Sequence, residues 1–137
     1  MTYLVERLAE LHRHLEHLRE LRPRVVGREA LERELSLHND VLFSLLTVCQ
    51  LVINIAGELC ARRGDRFEDY TEAVRNLTRD SRFPTDLVRQ LELLPGFRNV
   101  LVHEYVALDM ERVVEALNNL GPIEEFLEIV RQIESAA

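Results

Sequence analysis

Four side chains with chemical capability fall within eight residues of this 137-residue chain: Arg98, Asn99, His103 and Tyr105, set among Phe97, Val100, Leu101 and Val102. A guanidinium can grip a phosphate with two parallel N–H groups and stabilise charge that develops in a transition state. Imidazole is the side chain whose charge changes near neutrality, so His103 is the candidate general acid or base. Asn99 can donate to a phosphoryl oxygen or hold the imidazole in one tautomer. RNA carries its own nucleophile, the 2′-hydroxyl, so a histidine and an arginine could cleave it without a metal and leave a cyclic phosphate. No Ser-His-Asp set, glycine-rich phosphate loop or Cys/His metal spacing competes with these residues, and no cofactor is expected.

Pro95 and Gly96 interrupt the apolar pattern just before this stretch, and the spacing predicts that a helix restarts near Phe97. On an ideal helix Asn99 and His103 are i,i+4 neighbours about 40° apart, while Arg98 and Tyr105 lie on an adjacent line roughly 20° apart. Phe97, Val100 and Leu101 can then face the core. Val102 falls inside the polar arc, which suggests that this arc packs against something. A helix restart would leave free N–H groups near Arg98 as an anion site, or be a mere kink around the core. Spacing alone leaves two readings open: a catalytic set, or packing and ion-pair residues that build a dimer or partner interface on a non-catalytic helical module. One helix also makes a thin site. Two copies across a two-fold axis would place two arginines and two histidines in one cleft, which makes a homodimer part of the enzymatic reading.

The remaining composition narrows the classes. With 47% hydrophobic and 30% charged residues the chain reads as a soluble globular protein, and 1–137 as a single domain. A net charge of −7 argues against loose, charge-driven adhesion to nucleic acid or an anionic membrane, though not against a local basic site. Every one of the 17 cations is arginine, able to fork onto a carboxylate or phosphate, although codon bias or heat adaptation is the simpler explanation. Glu6, Arg7 and Glu10 break the N-terminal stripe, so no secretory leader is expected, and the run from Val41 to Ala56 reads as a buried helix and not a membrane anchor. Cys49 and Cys60, roughly 16 Å apart if they share a helix, read as reduced core thiols of a cytoplasmic protein. His14 and His17 have an i,i+3 spacing, but no third ligand is evident and a solvated face explains them; no metal site is expected.

The positioning elements follow from period and punctuation. Leu4, Leu8, Leu11, Leu15, Leu18 and Leu21 form one stripe of a helix over 2–21, ended by Pro23 and Gly27. A short helical lead-in over 28–35 precedes the most apolar helix, from about Ser36 to Arg63, capped by Gly64. Gln50 and Asn54, one turn apart on it, need partners and can support a neighbouring polar cluster or form an interhelical hydrogen bond. Arg62, Arg63 and Arg66 make a small basic knot. Thr71 to Thr78 reads as a short helix, Pro84 opens another through Leu94, Asp109 caps a helix that runs to Gly121, and Pro122 starts the last. With no alternating run, the fold class is all-α: an up-and-down bundle of about five or six helices.

Arg98-Asn99-Val100-Leu101-Val102-His103-Glu104-Tyr105 also resembles the motif of the HepT toxins of the HEPN superfamily, prokaryotic helical ribonucleases: arginine, four residues, histidine, one residue, tyrosine. The polar residue after the arginine fits the same pattern. The resemblance extends over nearly the whole chain, through the Leu-striped first helix, the apolar helix with Gln50 and Asn54, and Asp69-Tyr70 before a short helix. It implies a HEPN-like homodimer with its active cleft between two motif helices, metal-independent cleavage of RNA, and a toxin role. It also implies an MntA-type minimal nucleotidyltransferase as antitoxin, which adenylylates the motif tyrosine, here Tyr105. Adding AMP would put a bulky anion where an anionic substrate must dock against Arg98.

Overall fold

The computed structural model describes residues 2–103 and 108–136. Among these residues there is no strand. The helices are α1 (Thr2–Leu21), α2 (Arg28–Arg33), α3 (Leu35–Arg63), α4 (Tyr70–Arg75), α5 (Thr85–Leu91), α6 (Leu94–Val102), α7 (Met110–Leu117) and α8 (Gly121–Ala136). Five of them have eight or more residues, in keeping with the expected bundle, and the three short ones turn the chain between longer neighbours.

The leucine stripe of α1 is buried along its whole length, from Leu4 to Leu21, and lies against α3, the helix that also receives α2, α4, α6 and α7. α3 is apolar on most sides for that reason. It is long and apolar enough to cross a bilayer, but most of its apolar stretch is buried among the protein's own helices. Gly64 ends it at φ 76°, the left-handed conformation that favours glycine, and Asp65 N closes the cap on the Cys60 carbonyl at 3.0 Å. Cys49 and Cys60 are both buried and unpaired on this helix.

Polar ties link the helices at the surface. Arg19 Nε donates to Glu124 at 2.6 Å, joining α1 to α8, and Arg62 Nη1 donates to Glu134 at 2.8 Å, joining α3 to α8. Arg63 pairs with Asp65 at 3.4 Å, so two of the three arginines in the basic knot are engaged by acids. The histidines of α1 diverge. His14 Nδ1 lies 3.0 Å from Ser44 Oγ with its ring on Phe43, and desolvation holds its pKa below the ordinary imidazole value; His17 faces Glu20 and Asp40 at 3.9 Å.

Several boundaries differ from the sequence reading for local reasons. Glu34 is extended (φ −113°, ψ 106°) and separates α2 from α3. Residues 70–79 form α4 followed by a 3-10 turn over Asn76–Arg79. α5 stops at Leu91, three residues short of Leu94, and α7 stops at Leu117. Helix α6 begins at Leu94, with Pro95 inside its first turn, and not near Phe97. Proline lacks an N–H that the first turn would leave unused, so the break falls before it.

Candidate functional site

Helix α6 is anchored by Pro95, Phe97 and Leu101, all buried. Phe97 is covered from outside by Arg112, whose guanidinium carbon lies 5.6 Å from the ring centroid. That anchoring turns Asn99, Val102 and His103 away from the core and leaves Arg98 half-buried at its edge. Val102 is 48% exposed, an uncovered apolar side chain amid polar neighbours. Phe97 N already bonds the Leu93 carbonyl at 3.1 Å, so the helical ladder is established before Arg98.

Arg98 is half-buried and turned toward α3 and α4. Its Nη1 donates to Gln50 Oε1 at 2.7 Å, and Gln50 Nε2 donates to Asn54 Oδ1 at 3.0 Å. Both sequence expectations for Gln50 and Asn54 are therefore realised in one chain of bonds: an interhelical bond that supports a polar cluster. The guanidinium carbon lies 5.8 Å from the centroid of the Tyr70 ring. Tyr70 is held at the start of α4 by the Asp69 cap, whose Oδ1 accepts from Glu72 N at 2.8 Å, and Phe67 stands beside its ring at 6.3 Å. Arg98 Nε is buried with no acceptor among the described residues. Burial pushes the thiol of Cys49 on α3 up to about 12, while the Arg98 cation pulls the other way. At neutral pH Cys49 is a neutral thiol and not a nucleophile.

Asn99 and His103 are exposed at the C-terminal end of α6. Helix α6 ends at Val102, short of the histidine that the sequence reading placed on it; His103 follows as the cap at φ −103°, ψ 46°, outside helical geometry, with its backbone N–H on the Asn99 carbonyl at 3.1 Å. The structure thus joins Arg98 to α3 and α4 and leaves Asn99 and His103 toward solvent. Tyr105 lies outside the described residues. A cavity of about 630 Å³ opens on the other face of α6, lined by Leu45, Cys49, Leu91, Phe97, Glu115 and Ile123; Arg98, Asn99 and His103 do not line it. Among the described residues, Asn99 and His103 stand on the exposed side of α6.

Sequence reasoning did not see that Tyr70 stands over Arg98. Tyr70 precedes Arg98 by 28 positions, and nothing in the helical period of either segment orients one toward the other.

Among the described residues, the chain is a helical bundle that presents a half-buried arginine beside an exposed asparagine and histidine. The chain belongs to the ribonuclease HepT-like family, whose model matches residues 11–133. A candidate RNase of Archaeoglobus fulgidus is 28% identical over 85 residues, which cover 62% of this chain and 64% of that protein's length. The fold is that of the HEPN toxins: a tri-AMPylated Shewanella oneidensis HEPN toxin solved in complex with its MNT antitoxin superposes with a TM-score of 0.81 at 18% identity, over 94% of this chain and 96% of that one. A toxin–antitoxin structure solved with AMP-PNP gives 0.83 at 17% identity, over 96% and 99% of the two chains. At such identities the likeness is one of fold.

Proposed function

We propose that this chain is the toxin of a prokaryotic toxin–antitoxin pair and acts as a metal-independent endoribonuclease. One observation carries the reading: in a chain of the HepT-like family, Arg98 is held by a neutral amide and an aromatic ring beside the exposed Asn99 and His103. In this mechanism His103 takes the proton of a ribose 2′-hydroxyl, and the 2′-oxygen attacks the adjacent phosphorus. The bond from phosphorus to the 5′-oxygen breaks, that oxygen leaves with the proton His103 has taken up, and a 2′,3′-cyclic phosphate remains. Arg98 neutralises the charge on the phosphoryl oxygens, and Asn99 donates to one of them or steadies the imidazole.

Two further elements belong to the reading. An open site on one helix needs a second wall, and a second copy of this chain supplies it as a homodimer with a composite cleft. The exposed Val102 amid polar neighbours suits a face that another surface covers. The antitoxin is an MntA-type minimal nucleotidyltransferase that adenylylates Tyr105. The solved MNT and AMP-PNP complexes of structurally similar toxins support this pairing. Residues 1–137 act as one helical domain in the cytoplasm, with RNA as substrate and no resident metal or cofactor.

Incubating purified protein, free of any antitoxin, with cellular RNA tests the proposal. Cleavage that disappears in both Arg98→Ala and His103→Ala is expected. Cleavage that survives either substitution overturns the assignment. Intact RNA alongside tight binding to the partner would favour a non-catalytic binding module instead.

A further inference from the structure

We propose that Gln50 is the positioning residue of Arg98, and that a glutamine serves because a neutral acceptor fixes the guanidinium while leaving its charge available to an RNA phosphate. This rests on the reading of Arg98 as the phosphate-binding group. The chain carries 24 acids against 17 arginines, and carboxylates pair with ten arginines among the described residues: Arg13, Arg19, Arg24, Arg62, Arg63, Arg75, Arg79, Arg82, Arg89 and Arg131. Arg98 is half-buried, where an unpaired cation costs more than at the surface, yet its partners among the described residues are an amide oxygen at 2.7 Å and a tyrosine ring at 5.8 Å.

The amide is not free to choose which end it presents. Gln50 Nε2 is committed to Asn54 Oδ1 at 3.0 Å, one turn along the same helix. The reversed amide would aim N–H at N–H on the guanidinium and oxygen at oxygen on Asn54, if Asn54 kept its own orientation. The guanidinium can only donate, so it takes Gln50 Oε1; Gln50 Nε2 then takes Asn54 Oδ1, and the two bonds together hold Arg98 against the most buried helix of the bundle. With Nη1 taken and Nε buried, the guanidinium keeps only part of its donor fork for a substrate, and that part points where Gln50 and Tyr70 set it. A carboxylate at position 50 would keep an oxygen on Arg98 Nη1, would accept from the Asn54 amide once that amide turned to present its N–H, and would cancel the charge.

The test uses the full chain and a mixed-sequence 2′-O-methyl RNA 12-mer, which lacks the attacking hydroxyl and so reports binding without turnover. The variants are Gln50→Glu and Gln50→Leu. For Gln50→Glu the expected result is an unchanged or higher melting temperature and affinity lowered about tenfold or more, with a salt dependence shallower by about one phosphate contact. A merely structural role for Gln50 would leave that salt slope unmoved. The Arg98 side-chain N–H resonances, assigned by their loss in Arg98→Lys, give a readout independent of RNA. They are expected to be sharp in the wild type and in Gln50→Glu, and broadened in Gln50→Leu. Wild-type affinity and salt slope in Gln50→Glu would overturn the proposal. RNA cleavage that depends on Arg98 but is indifferent to both Gln50 variants would overturn it while leaving the ribonuclease reading intact. If the wild type neither binds nor cleaves RNA, the ribonuclease reading fails and the resonances decide the rest: dependence on Gln50 upholds its positioning role, independence overturns it.

Discussion

Replacing Arg98 by methionine separates what this residue does for the fold from what it does for RNA. The substitution keeps an apolar stem of similar length and removes the guanidinium. Lost are the charge-assisted bond to Gln50 at 2.7 Å, worth ~1.5–3 kcal/mol, and the contact over Tyr70 at 5.8 Å, worth ~0.5–1 kcal/mol. Gained is relief from the buried Nε that lacks an acceptor among the described residues, a penalty of ~1–3 kcal/mol. The half-buried cation also no longer has to be desolvated. These contributions oppose one another, and the net lies between a loss of about 3 kcal/mol and a gain of about 1 kcal/mol, with the relief of desolvation favouring the variant. RNA cleavage should fall by about 100-fold or more, the usual cost of deleting one group that stabilises transition-state charge. Urea denaturation and an RNA cleavage assay on the same preparations measure both. A stability loss above about 3 kcal/mol would refute this reasoning, because it would make Arg98 a structural residue with the opposing costs misjudged.

Three other outcomes can be checked with simpler experiments. Cys49 titrates at about 12 in the fold against an ordinary 9.0; an acid raised on folding contributes stability that is complete below its unfolded value and is lost as pH rises through that window. Stability should therefore decline above pH 9 by up to about 1.4 kcal/mol per pH unit, and Cys49→Val should flatten that decline; an identical decline in the variant would count against the buried thiol. Phe126 is fully buried with its ring 6.0 Å from Phe83, so Phe126→Ala should cost ~3–5 kcal/mol in urea denaturation, and a loss below 1 kcal/mol would show that α8 is not packed as described. Co-expression with a cognate nucleotidyltransferase should add one or more AMP units to the intact mass, and Tyr105→Phe should abolish the addition; a shift that persists in the variant places the modification elsewhere.

The parts of the fold that could be read in advance are those set by period and by residues with one local use. The six leucines of α1 keep their spacing for five turns, Gly64 takes the left-handed cap, and Asp109 accepts from Glu111 N at 3.0 Å as a cap should. The break before α6 was misplaced because a proline signals a helix start without saying on which side of it the start falls. The chain resolves this by turning at residues 92–93, with Leu93 N on the Gln90 carbonyl at 3.3 Å. Arg98, Asn99 and His103 could be singled out from residue type and spacing. Their surroundings could not, because Gln50 precedes Arg98 by 48 positions and Tyr70 arrives from a third helix. Which polar groups on separate helices face each other is decided by how the apolar faces pack, and no local pattern encodes that.

The central claim is tested most directly by the ends of the product. A 5′-labelled RNA incubated with the wild-type chain in excess EDTA, and in parallel with His103→Ala, should yield fragments ending in 2′,3′-cyclic phosphate with the wild type and none with the variant. Fragments that form only after a divalent metal is restored, that carry 5′-phosphate and 3′-hydroxyl ends, or that appear equally with His103→Ala would contradict it.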